Sequence, residues 1–120
     1  MKISFENLRL TVQVPTTKLE QKSGMRRTRD FDVLKGITGY ALPGQTLYIM
    51  GASGAGKTSL MNCLSSRVNL TNGNKLTGQV LMNDTAKMDQ SIFGNYGAYV
   101  MQDDNIFEYF TVREALDFAA

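Results

Sequence analysis

Residues 51–59 read Gly-Ala-Ser-Gly-Ala-Gly-Lys-Thr-Ser, three glycines within six positions followed by a lysine and two hydroxyls. Glycines at 51, 54 and 56 permit positive φ and bare main-chain approach, so successive amide hydrogens can converge on one oxyanion. A helix that starts at the end of such a loop adds the positive end of its dipole. Lys57 then offers charge to phosphate oxygens and Thr58 a hydroxyl to a divalent cation.

The flanks support that reading. Thr46-Leu47-Tyr48-Ile49-Met50 is apolar after its first residue, as in a strand buried on both faces of a parallel sheet. Downstream, Leu60, Met61, Leu64 and Val68 fall at helical spacing, with Arg67 in the last turn. The pattern Gly51-x-x-x-x-Gly56-Lys57-Thr58 is therefore a P-loop between strand and helix. Gly51, Ser53, Gly54, Ala55, Gly56, Lys57, Thr58 and Ser59 are the expected nucleotide-binding residues, with Thr58 on Mg2+. So far the site calls for a nucleoside triphosphate with magnesium, without choosing the base.

Upstream, Ile3, Phe5, Leu8, Leu10, Val12 and Val14 recur close to every second residue until Pro15, which predicts a strand. Thr16 to Asp30 is polar and basic, with a Ser23-Gly24 turn signal, and reads as a solvated loop. Phe31–Leu34 and Ile37–Leu42 read as a short strand pair. Leu42-Pro43-Gly44-Gln45 has the residues of a type II turn. Asn72-Gly73-Asn74 marks another turn, and Thr77–Met82 and Tyr96–Met101 read as two further strands around a polar loop at Asn83-Asp84. Thr111 and Glu114 have capping-box spacing ahead of an apolar face at Ala115, Leu116, Phe118 and Ala119.

Composition narrows the function classes. The 120 residues carry 13 basic and 11 acidic side chains, a net charge of +2, so no charge excess argues for nucleic acid as a partner. Cys63 has no second cysteine to pair with and reads as a packed small thiol. The lone cysteine fits a reducing compartment, read as the cytosolic side, and no apolar run reaches the ~18 to 20 residues of a membrane-spanning helix. There is no histidine, so histidine bases, histidine metal ligands and serine or cysteine triads are excluded within this sequence.

The class of P-loop protein must come from other residues. A guanine-reading Asn-Lys-x-Asp has only near misses, Asn74-Lys75-Leu76-Thr77 and Ala86-Lys87-Met88-Asp89. A compact kinase would place Asp103 or Asp104 on magnesium, but Gln102 intervenes after Ala98-Tyr99-Val100-Met101.

"YVMQDD" at 99–104 and "TVREAL" at 111–116, downstream of "VLKGITGYALPGQTLYIMGASGAGKTSLMNCLSSR", resemble the start of an ABC transporter nucleotide-binding domain. The chain is most similar to the G subfamily of pigment, sterol and multidrug half-transporters, from about Ile3 to Ala120. The resemblance implies an α/β fold: an incomplete P-loop NTPase domain, with an antiparallel β portion and part of the parallel core sheet. It would form one unit over 1–120, from the first strand through P-loop and Q-loop to the start of a helical subdomain. It implies ATP and Mg2+ as ligands. Gln102 is then the Q-loop glutamine, meeting magnesium and the attacking water. A neutral amide suits this task because it donates and accepts without titrating.

By the same resemblance the partners are a second nucleotide-binding domain, identical or not, and a transmembrane domain. The location is the cytoplasmic face of a membrane, and lipids or hydrophobic compounds are among the transported substrates. Phe107, Tyr109 and Phe110 stand where the family faces its transmembrane helices, though a buried hinge reads equally well. The adenine-stacking aromatic of many members is replaced by Val12. The Leu-Ser-Gly-Gly-Gln signature, the Asp-Glu ending of an apolar strand and a switch histidine do not occur in residues 1–120. The resemblance therefore implies nucleotide binding that is weak at best and no turnover by this chain alone, with poor solubility or partial folding from unpaired strand edges. Two alternatives stand beside it: another P-loop enzyme such as a small kinase, and a non-catalytic truncated or regulatory fragment.

Overall fold

Apolar residues of the first segment sit at odd positions up to Phe5 and at even positions from Leu8. A strand that buries both sets must slip by one residue between them. The computed structural model, which describes residues 1–24, 26–103 and 107–120 apart from the side chains of Leu19 and Gln21, contains that slip. Its elements are β1 (Ile3–Pro15), α1 (Lys18–Lys22), β2 (Thr28–Ala41), α2 (Lys57–Leu64), β3 (Lys75–Met82), β4 (Ala86–Lys87), α3 (Gln90–Tyr96) and α4 (Val112–Ala119). The strands form one antiparallel sheet in the order β2-β1-β3-β4.

Against β2, Phe5 pairs with Gly39 and Leu8 with Ile37; against β3, Glu6 pairs with Gln79 and Arg9 with Thr77. Both ladders thus skip one residue of β1, a bulge centred on Asn7 at φ 48°. Gly36 and Gly78 flank it with φ of 84° and 87°. A Cβ on Gly78 would lie 2.5 Å from the carbonyl oxygens of Glu6 and Asn7, so glycine is required there. The bulge lets Phe5, Leu8 and Leu10 all enter one core with Leu34, Val80 and Met88, beneath Leu60 and Cys63 of α2. Ser4, also buried, donates its hydroxyl to Asp84 Oδ1 at 2.7 Å.

Several expected elements take a different form. The basic segment of 16–30 is not all loop, since it contains α1 and the first residues of β2. The two short strands of 31–42 are one strand, β2, because both halves pair with β1. The Leu42–Gln45 turn is present, Gln45 N donating to the Leu42 carbonyl (3.2 Å) with Gly44 at φ 73°. The helix of residue 57 onward stops at Leu64. Ser66 turns left-handed (φ 54°), with Ser66 N donating to Cys63 O and Arg67 N to Asn62 O, a Schellman closure.

The larger correction concerns the parallel sheet. Residues 45–50 and 97–101 form no strand among the described residues, and Tyr96 ends helix α3, whose N-cap Asp89 accepts the Ile92 amide hydrogen at 2.7 Å. Tyr48, Met50 and Val100 are 78%, 87% and 91% exposed. An apolar run becomes a strand only when a neighbouring backbone completes its ladder. These two runs instead flank a gap of about 320 Å³ lined by Leu47, Ile49, Tyr99 and Val100. The radius of gyration, 18.2 Å, exceeds the roughly 14 Å of a compact domain of this length. The antiparallel portion carries the core, and the segments around the glycine loop lie over it.

Candidate functional site

The glycine loop is built by positive φ that glycine adopts without strain. Gly54 has φ 78° and Gly56 φ 93°. Ala55 N closes a turn onto the Ala52 carbonyl at 3.2 Å. Gly56 is also the N-cap of α2 and makes no side-chain cap, so the first-turn amides of the helix are left to a ligand or to water. Glycine is needed at 56 for a second reason. A Cβ there would stand 3.1 Å from the Val33 carbonyl and 3.2 Å from Leu34 Cδ2, so the sheet backs directly onto the loop.

Lys57 folds over this loop. Its ammonium donates to the carbonyl oxygens of Gly51 (2.9 Å) and Ala52 (2.7 Å). Those bonds span the loop mouth with a cation. Beside it lies an open cavity of about 450 Å³ lined by Ser53, Gly54, Gly56, Lys57, Thr58 and Ser59, together with Val33 and Gln102. The arrangement can receive an anion on main-chain amides and an ammonium, with hydroxyls at its edge.

Of the residues singled out in the sequence, Ser53, Gly54, Gly56, Lys57, Thr58, Ser59 and Gln102 meet at this cavity. Gly51 and Ala55 do not line it; they form the turn behind it, where a Cβ on Gly51 would lie 3.3 Å from Ala55 Cβ. Gln102 is exposed and comes to the loop from a distant part of the sequence, sharing with Thr58 this cavity and the neighbouring one that holds Asp103. Asp104 lies outside the described residues. Val12 pairs with Phe31 across β1 and β2 and is not part of the cavity wall. Val33 was not legible as a site residue, since only the approach of β2 to Gly56 brings it there.

Two further features have a plain physical cause. Cys63 is buried in the core, and burial pushes its thiol up to about 11. Phe107, Phe110 and Phe118 form an exposed ring cluster with centroids 4.9 to 6.2 Å apart, not a buried hinge; Tyr109 is 94% exposed.

With this geometry in place, comparison with known proteins gives the class. Residues 34–119 match the model of the ABC transporter family. The chain belongs to that family, as part of its ATPase domain. Its relatives point to the G branch: it is 38% identical over 118 residues to ABC transporter G family member STR2 of Medicago truncatula, covering 98% of this chain and 15% of that protein. ABC transporter G family member 3 of Dictyostelium discoideum is 34% identical over 118 residues, 98% of this chain and 8% of its own length. Multidrug resistance protein CDR2 of Candida albicans is 47% identical over 94 residues, 78% of this chain and 6% of its own. The chain thus spans only about one seventh or less of these relatives. Among the described residues no helix is long and apolar enough to cross a membrane.

Proposed function

We propose that the loop of residues 51–59 binds the triphosphate of ATP, with Thr58 and Gln102 holding the accompanying Mg2+. The observation that carries this is the Lys57 ammonium drawn across a glycine loop whose helix has no side-chain cap. Main-chain amides from Gly54 to Thr58 and the Lys57 ammonium bind the phosphates, Lys57 exchanging its carbonyl partners for phosphate oxygens of greater charge. Ser53 and Ser59 add hydroxyl contacts at the rim. Magnesium, when bound, neutralises phosphate charge and orients the terminal group for attack by water. Gln102 positions that water without titrating.

In this reading residues 1–120 are the N-terminal portion of a nucleotide-binding domain, reaching from the first strand past Gln102 to the start of a helical subdomain. In the complete protein two such domains close on ATP at the cytoplasmic face of a membrane. Hydrolysis reopens them and moves attached transmembrane helices, carrying lipids or hydrophobic compounds. The family membership and the G-family and multidrug relatives support this.

The test is thermal. MgATP at 100 times its dissociation constant stabilises a one-site protein by about 2.7 kcal/mol. A rise in Tm with MgATP that Lys57→Ala removes is the expected result. No rise at millimolar ATP in a folded sample sinks the reading.

A further inference from the structure

Asn62 grips the end of α2 and the approach to Gln102 at once. Its main-chain carbonyl accepts the Arg67 amide hydrogen at 2.8 Å, and its Oδ1 accepts the Tyr99 hydroxyl at 2.8 Å. The left-handed turn at Ser66 carries the Arg67 guanidinium over the Tyr99 ring, 4.8 Å from the centroid, and one guanidinium N–H lies 4.0 Å from the Met101 sulfur. Gln102 is the next residue in the chain. Asn62 itself lies four residues beyond Thr58, on the same face of α2. Thr58, Asn62, Arg67, Tyr99 and Gln102 line one cavity of about 440 Å³.

The segment before Gln102 joins no ladder, and Tyr99 is only half-buried. Neither sheet hydrogen bonds nor deep packing fix it among the described residues. The tethers that do so are side-chain contacts to Asn62 of α2, the helix that also carries Lys57 and Thr58, and to Arg67 in the turn just beyond its end.

We infer that Asn62, Tyr99 and Arg67 are positioning residues that hold Gln102 on the same cavity as Thr58, so that the magnesium-dependent part of nucleotide binding passes through the Asn62–Tyr99 hydrogen bond. This rests on the reading of the loop as a nucleotide site. Tyr99→Phe keeps the ring under Arg67 and removes only the hydroxyl. One net hydrogen bond corresponds to about two- to tenfold in an equilibrium constant.

The experiment measures ATP affinity by calorimetry with Mg2+ and with EDTA, on the 120-residue chain and its variants. Tyr99→Phe and Asn62→Ala should lower the gain in affinity conferred by Mg2+ about two- to tenfold and leave the affinity in EDTA unchanged. Arg67→Ala should do the same, and Arg67→Lys should restore most of the gain by keeping a cation over the ring. Tyr99→Phe combined with Gln102→Ala should lose no more than Gln102→Ala alone. Hydrogen exchange of residues 98–102, measured without nucleotide, should quicken in Tyr99→Phe. Equal magnesium gains in wild type and both hydroxyl-bond variants, or additive losses in the double variant, would overturn the inference while the nucleotide site stands. A wild type that binds no ATP, or a Lys57→Ala variant that binds as well, overturns the site and the inference together.

Discussion

The Lys57 ammonium donates to the Ala52 carbonyl at 2.7 Å, so the loop and its cation are already joined before any anion arrives. A phosphate must take this bond over, and a charge-assisted bond to phosphate is the stronger of the two. Removing the ammonium with Lys57→Met should weaken triphosphate binding about 10- to 100-fold, the equivalent of one charged hydrogen bond. Calorimetric titration checks it, and folding should be unaffected because the side chain is bonded only to exposed loop carbonyls.

A second outcome concerns the bulge of β1. Gly78→Ala puts a Cβ 2.5 Å from two carbonyl oxygens at a backbone angle of φ 87°, where backbone itself must move. Overpacking that forces the backbone to shift costs about 1 to 3 kcal/mol in addition to the left-handed penalty. Gly24→Ala has a similar φ, 81°, with nothing within 4 Å, and should cost only the roughly 1 to 2 kcal/mol of the backbone conformation. Urea melts of the two variants should therefore rank Gly78→Ala well below Gly24→Ala.

At the last helix, Thr111 Oγ1 accepts the Glu114 amide hydrogen (3.3 Å) while Glu114 Oε2 accepts from Thr111 N (2.8 Å) and Thr111 Oγ1 (2.7 Å). These bonds hold the Glu114 carboxyl below its ordinary value of 4.5. A depressed carboxylate stabilises the folded state above its unfolded pKa, and the contribution is lost as pH falls through the lower folded value. Helicity of α4 should therefore decline as pH drops below about 4.5, and less so in Glu114→Gln. Thr111→Ala should cost about 1 kcal/mol of helix stability at neutral pH. Circular dichroism across the acid range reads both.

Cys63 yields a fourth. With its thiol buried and raised to about 11, little thiolate is present and little of it is accessible in the folded chain. A disulfide reagent at about pH 8 should label it at the rate at which the core opens. Leu8→Ala, which removes a fully buried side chain, should destabilise by about 2 to 5 kcal/mol and speed labelling in proportion. Labelling that is rapid and indifferent to Leu8→Ala would contradict the packing of α2 on the sheet.

How much could be read in advance follows from range. The capping box at Thr111 and Glu114, the Pro43-Gly44 turn and the glycine loop are set by dihedral limits and hydrogen bonds within a few residues, and each is found in the structure. The apolar spacing of residues 3–14 marks a strand but not the bulge between Phe5 and Leu8. The bulge depends on Gly36 and Gly78 of two other strands. Helical spacing after the loop runs on to Val68, whereas α2 ends at Leu64. Nothing apolar distinguishes residues 65–68; a single left-handed serine ends the helix.

The sequence by itself determined the loop of residues 51–59, the family and the chemistry the side chains can offer, since these lie in residue type and short spacing. Only the tertiary structure decided that β2 supplies Val33 to the loop, that Asn62 meets Tyr99, and that 45–50 and 97–101 join no ladder among the described residues. The reason is that a ladder bond and a side-chain tether each need a second partner distant in the chain, and periodicity records only one side of that pairing.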